Sequence, residues 1–199
     1  CFSLYATKNV AAGEGGIVTT DRDDVAAAIG DLRLMRRTGG SLYDIAVPGY
    51  KANLSDVLAA IALVQLGKLE RHREIRERQF AAYDEAVAGL GGIEPLARDE
   101  RDTHALHLYV VRIDPERAGG TRDEYTKVLA EENIATSIHF LPVHTLTAYR
   151  RLLPDQPRLP VAERAGAEVL SLPLSPAHSD DDIADVVEAL RRVHARLAA

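Results

Sequence analysis

Lys8 is the first residue of this chain whose type and setting could do covalent chemistry. It follows the apolar run Cys1-Phe2-Ser3-Leu4-Tyr5-Ala6, with Thr7 before it and Asn9 after it. An amine held near apolar walls or beside a second cation sheds its proton readily, and only the neutral amine attacks a carbonyl carbon. On position alone, a lysine in a glycine-containing loop is more simply a solvated cation, and spacing does not choose between the two readings. Asn53 raises a similar question, because just ahead of Ser55 it reads as a loop or capping residue. His139 and His144 stand five apart, yet no third ligand or carboxylate joins them at the spacing of a metal site. His104 and His107 are no better placed, so no metal is expected.

The elements that must hold these residues follow from pattern. Residues 1–5 read as a short strand running into a loop at Ala6–Gly16, where Gly13, Gly15 and Gly16 permit turns. Ile17-Val18-Thr19-Thr20 is a second β-rich run. Val25, Ile29, Leu32 and Met35 fall at helical spacing, and Thr38-Gly39-Gly40-Ser41 ends that helix and opens a loop through Pro48-Gly49. Ser55 is placed to cap the next helix, with Asp56 favourable to its dipole. That helix begins almost wholly apolar, VLAAIALVQL, and continues as a charged helix with the stripe Ile75, Phe80, Tyr83, Val87. A helix apolar all round at one end is buried on several sides there, in a core or at a subunit interface.

Gly89, Gly91 and Gly92 stop the long helix, and a smaller α/β pattern follows. Strands are expected at His107–Ile113, Ala135–Phe140 and Leu170–Leu174. Helices are expected from the capping box Thr121–Glu124 to about Asn133, at Leu146–Leu153, at Val161–Val169, and after Ser179. The last presents Ile183, Val186, Val187, Leu190 and Val193 on one face. The best division sets residues 1–90 apart from 91–199, with the boundary near Gly89–Arg101.

Bulk properties narrow the function classes. The chain has 199 residues, 46% of them hydrophobic, and a net charge of -6, a balance that argues against general nucleic-acid binding. Arg71, Arg73, Arg76 and Arg78 alternate with Glu70, Glu74 and Glu77, which reads as a solvated helix face with i,i+4 pairs. Cys1 is the only cysteine, so no intrachain disulfide forms and a reducing, cytoplasmic setting is expected. The longest apolar run, Val57–Leu66, is too short to span a bilayer. Opening on Cys1 without a methionine reads as a cut through a longer protein.

Several separated segments together resemble one family. Ser3-Leu-Tyr-Ala-Thr-Lys8-Asn9, Gly13-Glu-Gly-Gly16 and Val18-Thr-Thr-Asp21 resemble the lysine segment of the DegT/DnrJ/EryC1/StrS sugar aminotransferases, enzymes that use pyridoxal 5'-phosphate to aminate nucleotide-linked keto-sugars. Gly49-Tyr-Lys-Ala-Asn53-Leu-Ser-Asp56, His107-Leu-Tyr109, Ser137-Ile-His139-Phe-Leu-Pro-Val-His144, Tyr149-Arg150 and Val169-Leu-Ser-Leu-Pro-Leu174 continue it in the family's order. The resemblance covers nearly the whole chain and implies an α/β fold of the aspartate-aminotransferase type (fold type I). Residues 1–90 would then close the large cofactor domain, and 91–199 would form the small C-terminal domain.

The resemblance also implies roles. Lys8 falls on the lysine that holds the cofactor and moves the proton during transfer. Ser3 falls on a hydroxyl that binds the cofactor phosphate, and Asn53 on an asparagine that reaches the phosphate from the neighbouring subunit, which implies a homodimer. His139 and His144 lie on a segment near the family's substrate entrance and are candidate contacts for sugar or nucleotide phosphate. The amino donor implied is glutamate, and the product an amino sugar for polysaccharide, lipid or secondary metabolite. Thr38 and Leu106 depart from a family histidine and tryptophan, and the loop between Gly40 and Gly49 is short; each bears on sugar specificity. Lys8 argues against the family's dehydratase subgroup, which carries histidine there. The family's upstream aspartate, stacking aromatic and glycine turn cannot be assigned in this chain. The rival reading is a non-catalytic fragment that acts as a subunit-interaction module through Val57–Leu66.

Overall fold

The computed structural model describes residues 1–37, 43–99 and 101–199. It divides into two compact units, Cys1–Glu70 and Arg71–Ala199. The division falls inside the long charged helix, ahead of the glycine-rich stop at which the sequence pattern places it. The reason lies in packing, because Phe80, Tyr83 and Val87 of that helix are buried in the core of the second unit.

In the first unit, β1 (Phe2–Ser3) pairs antiparallel with β2 (Gly16–Ile17). Helix α1 (Asp23–Arg33) follows, and Met35 lies beyond its end with a positive φ. Strand β3 (Arg36–Arg37) pairs with β4 (Ile45–Val47). The expected stop at Thr38–Ser41 and the departure at Thr38 lie outside the described residues. Ser55 caps α2 (Asp56–Leu66), its hydroxyl accepting from the Leu58 amide at 3.4 Å. The apolar and charged stretches expected as one helix are two: α2 closes at Gly67, and α3 (Leu69–Val87) begins after a short turn. Leu4, Ala12 and Ala62 form a small buried cluster, with Val10, Leu54 and Leu58 packed against it.

The second unit is built on an antiparallel sheet ordered β5 (Ile93–Pro95), β6 (Tyr109–Ile113), β7 (Val169–Leu172). Ile93 pairs with Ile113 across one seam, and Tyr109 with Leu172 across the other. Along β6 burial alternates, with Tyr109, Val111 and Ile113 inside, the period expected of a strand with one face on a core. Between β6 and β7 run α4 (Pro115–Ala118), α5 (Arg122–Glu131), α6 (Thr147–Leu152) and α7 (Pro160–Glu168); α8 (Asp180–Leu197) closes the chain. The expected capping box forms at Thr121 with Glu124, and Ser179, expected as a cap, forms one too, with Asp182. Gly92 turns the chain into β5 at φ 79°, and a Cβ there would lie 2.4 Å from the Ala118 amide nitrogen, so only glycine fits.

Two expectations fail in this unit. Ala135–Phe140 is not a strand; it is irregular, and its only backbone pairing with the sheet among the described residues is the bridge Ser137–Ser171. The bridge joins Ser137 to the side of β7 that faces away from β6, and the segment ends at Pro142, which precedes the 3-10 turn Val143–Thr145. Arg76 does not belong to a solvated face. It is buried, and its Nη1 donates to the carbonyls of Leu106 and His107, each at 3.1 Å. Arg73 and Glu77 do form the expected i,i+4 pair.

Candidate active site

The lysine segment is held by its backbone. The Leu4 amide donates to the Gly15 carbonyl at 2.9 Å, Ala6 to Gly13 at 2.9 Å, and Ala12 to Leu4 at 2.8 Å. Lys8 sits on the loop these bonds close, its own amide donating to Tyr5 at 2.9 Å. Gly15 makes the closure possible, with φ at 135° and Leu54 Cδ1 only 2.7 Å from where a Cβ would stand. Leu4 and Ala12 anchor the loop in the buried cluster with Ala62 of α2. A pinned backbone therefore carries an exposed lysine whose ammonium group has no ion pair or hydrogen bond among the described residues.

Ser3 lies on the same segment. Its Oγ accepts from the Tyr5 amide at 3.3 Å, which leaves the hydroxyl proton available to donate. Asn53 precedes Leu54, the residue packed against Gly15, so the small cluster also fixes its backbone. The amides of Tyr50 and Ala52 donate to Leu32 and Arg33 at 2.7 and 2.9 Å and tie this stretch to the end of α1. Asn53 Oδ1 accepts from Lys51 Nζ at 2.5 Å, so its amide NH2 faces outward as a free donor. Lys8, Ser3 and Asn53 all lie in the first unit; an amine can condense with an aldehyde, and a hydroxyl and an amide NH2 can donate to a phosphate.

His139 and His144 belong to the second unit and have separate surroundings there. His139 Nδ1 meets Ser171 Oγ of β7 at 2.8 Å, and its ring stands edge-on to Phe140 with centroids 4.7 Å apart. His144 lies in a short 3-10 turn at the wall of a cleft of about 720 Å³. Its Nε2 stands 3.4 Å from Glu163 Oε1, and its carbonyl accepts from Gln156 Nε2 at 2.6 Å. Glu163 is held to about pH 2 by Arg158 and by the Leu159 amide. Gly166 of α7 lets Pro142 pack directly on the helix, since a Cβ there would lie 2.3 Å from Pro142 Cδ. Leu106, the departure from a family tryptophan, is buried in the core. Arg122 and Arg150 also line the cleft. The sequence pattern gives neither a chemical role: Arg122 stands inside a capping box, and Arg150 enters only as part of the Tyr149-Arg150 segment of the resemblance. Among the described residues no group of three or more His, Cys, Asp or Glu is arranged to hold a metal, and no helix is long and apolar enough to cross a membrane.

These features have counterparts in known proteins. The chain is 40% identical to the spore coat polysaccharide biosynthesis protein SpsC of Bacillus subtilis, over 96% of this chain and 52% of that protein. Among solved structures it is similar to DesI, crystallised in the presence of its TDP-sugar product, with a TM-score of 0.86 and 36% identity over 99% of this chain and 50% of DesI. It is similar also to the sugar aminotransferase Spr1654 of Streptococcus pneumoniae in its PLP form, with a TM-score of 0.85 and 29% identity over 100% of this chain and 52% of that one. The chain thus spans about half the length of the relatives it matches. Its mixed α/β architecture is that of the fold type I aminotransferases. The model of the DegT/DnrJ/EryC1/StrS aminotransferase family matches residues 1–191, and the chain belongs to that family.

Proposed function

We propose that the complete protein transfers an amino group from glutamate to a nucleotide-linked keto-sugar, with pyridoxal 5'-phosphate held at Lys8. The observation that carries this reading is the pinned loop that presents an unpaired lysine on the same segment as a serine hydroxyl whose proton is free to donate. Lys8 would anchor the cofactor and carry a proton between cofactor and substrate carbon, as base at the one and acid at the other. The cofactor, when bound, would supply an electron sink for the carbon that loses its proton. Ser3 Oγ donates to the phosphate, and charge-assisted bonds of this kind are the strong ones. Asn53 offers its NH2 to the phosphate held by a partner subunit, which makes the working form a homodimer. His139 and His144 contact the sugar or its nucleotide phosphate. In this reading the protein works in the cytoplasm, in amino-sugar assembly for polysaccharide, lipid or secondary metabolite.

A second reading, a subunit-interaction module without catalysis, is favoured by one observation: Val57, Leu63 and Val64 of α2 are exposed. The two separate on Lys8. In the full-length protein Lys8→Ala should lower amine transfer by more than about a thousandfold, or about 4 kcal/mol of barrier. Borohydride should fix the cofactor on the peptide that carries Lys8. Transfer at the wild-type rate in Lys8→Ala, or a label on another peptide, removes Lys8 from the chemistry.

A further inference from the structure

An asparagine side chain offers a ligand either an acceptor, Oδ1, or a donor, its NH2, and a half-turn of the amide exchanges the two. Which of them Asn53 turns outward is decided by Lys51. An ammonium group has donors and no acceptor, so the Asn53 atom that stands 2.5 Å from Lys51 Nζ is Oδ1, and the NH2 faces away. Among the described residues Lys51 makes no ion pair, and its bond to Asn53 is the one side-chain hydrogen bond of either residue.

The backbone keeps the two side chains together. The alternate amides of Tyr50 and Ala52 donate to Leu32 and Arg33 in the manner of an extended chain. Lys51 and Asn53, themselves alternate, therefore share a face. Both are exposed, so packing does not fix the amide and the ammonium does. Without Lys51 the amide is free to turn, and one of its two orientations aims a lone pair at an approaching anion. With Lys51 the donor is set before the ligand arrives, and the positive charge on Oδ1 polarises the NH2 into a stronger donor.

We infer that Lys51 is a positioning residue, which holds the Asn53 amide so that a phosphate meets its NH2. This role rests on the reading of Asn53 as a phosphate donor.

Dissociation constants of pyridoxal 5'-phosphate and of pyridoxal, measured on the full-length protein freed of cofactor, test the role. Both probes carry the aldehyde and only one carries the phosphate, so the ratio of the constants separates the phosphate from the chemistry of Lys8. Lys51→Met should weaken pyridoxal 5'-phosphate by about tenfold, the scale of a charge-assisted hydrogen bond, and leave pyridoxal unchanged. Lys51→Arg also offers donors alone and should keep the affinity within about threefold of the wild type. Asn53→Ala should weaken pyridoxal 5'-phosphate at least as much as Lys51→Met does. Adding Lys51→Met to Asn53→Ala should then cost nothing further, because a residue that acts through Asn53 has no effect in its absence. If Asn53→Ala weakens binding and Lys51→Met does not, the role of Lys51 falls while the reading of Asn53 stands. Losses that add in the double variant mean that Lys51 meets the phosphate itself, and equal weakening of pyridoxal means a general structural effect; either overturns the positioning role. If Asn53→Ala changes neither constant, the phosphate reading of Asn53 falls and takes the role of Lys51 with it.

Discussion

Helices α2 and α8 are both rich in apolar residues, yet the two units use them in opposite ways. In α8 the apolar residues form a stripe, and Ile183, Val186, Ala189, Leu190 and Val193 are all buried in the core of the second unit. In α2 apolar residues run all round the helix, and only Ala62 is buried. Leu63 is 70% exposed and Val57 71% exposed, while Leu190 is fully buried. The difference teaches that the second unit completes its own core, whereas the first presents apolar surface that its own residues do not cover. A stripe is satisfied by one packing partner; a helix apolar on every side requires several. The unit with the incomplete core is also the one that carries Lys8, Ser3 and Asn53.

This contrast can be broken or sharpened by measurement. The largest effect is expected from Leu190→Ala, which removes a fully buried side chain from the second unit. It should cost about 2–5 kcal/mol, read as a shift in the denaturant midpoint. A cost well under 1 kcal/mol would mean that the core of the second unit is not closed as described.

An intermediate effect is expected from acid. Glu163 has its folded pKa depressed from 4.5 to about 2, first by Arg158 and then by the Leu159 amide. A depressed carboxylate stabilises the fold above its unfolded pKa and loses that stabilisation as pH falls through the folded value. Unfolding of the second unit should therefore become easier between about pH 4.5 and pH 2, and Glu163→Gln should flatten that part of the profile. An unchanged acid profile in Glu163→Gln would show that the link from Arg158 through Glu163 to His144 does not persist in solution.

The smallest effect is expected from Leu63→Gln on α2. Glutamine has nearly the helix propensity of leucine, and the position is exposed, so stability of this chain should move by less than about 0.5 kcal/mol. If Leu63→Gln costs as much as Leu190→Ala, the face of α2 is buried in solution and the contrast between the units fails.

Much of the second unit was legible because its signals are local. Thr121 with Glu124 and Ser179 with Asp182 announce helix starts, and the spacing of Ile183, Val186 and Leu190 announces a buried face. The failures have a common cause in distant partners. Ala135–Phe140 has the composition of a strand, but among the described residues only Ser137 finds a backbone partner in the sheet, at Ser171. Arg76 has the pattern of a surface cation, but the carbonyls of Leu106 and His107 come from 30 and 31 residues away. In the candidate site, the lysine segment was legible because its residues are contiguous. The cleft around His144 was not, because it gathers residues from Arg122 to Ala167.

By itself the sequence determined the helix starts, the periodic faces and, through several motifs in order, the family of Lys8. These depend on neighbours within a turn or two, where propensity and side-chain spacing act directly. Only the tertiary structure decided that Gly15 closes the lysine loop against Leu54, and that α3 from Arg71 onward joins the second unit. It also decided that Arg122 is buried at the wall of a cleft, where it donates to the Val169 carbonyl. Each of these turns on which distant surfaces meet, and burial and the satisfaction of polar groups are properties of the packed chain that no local pattern carries.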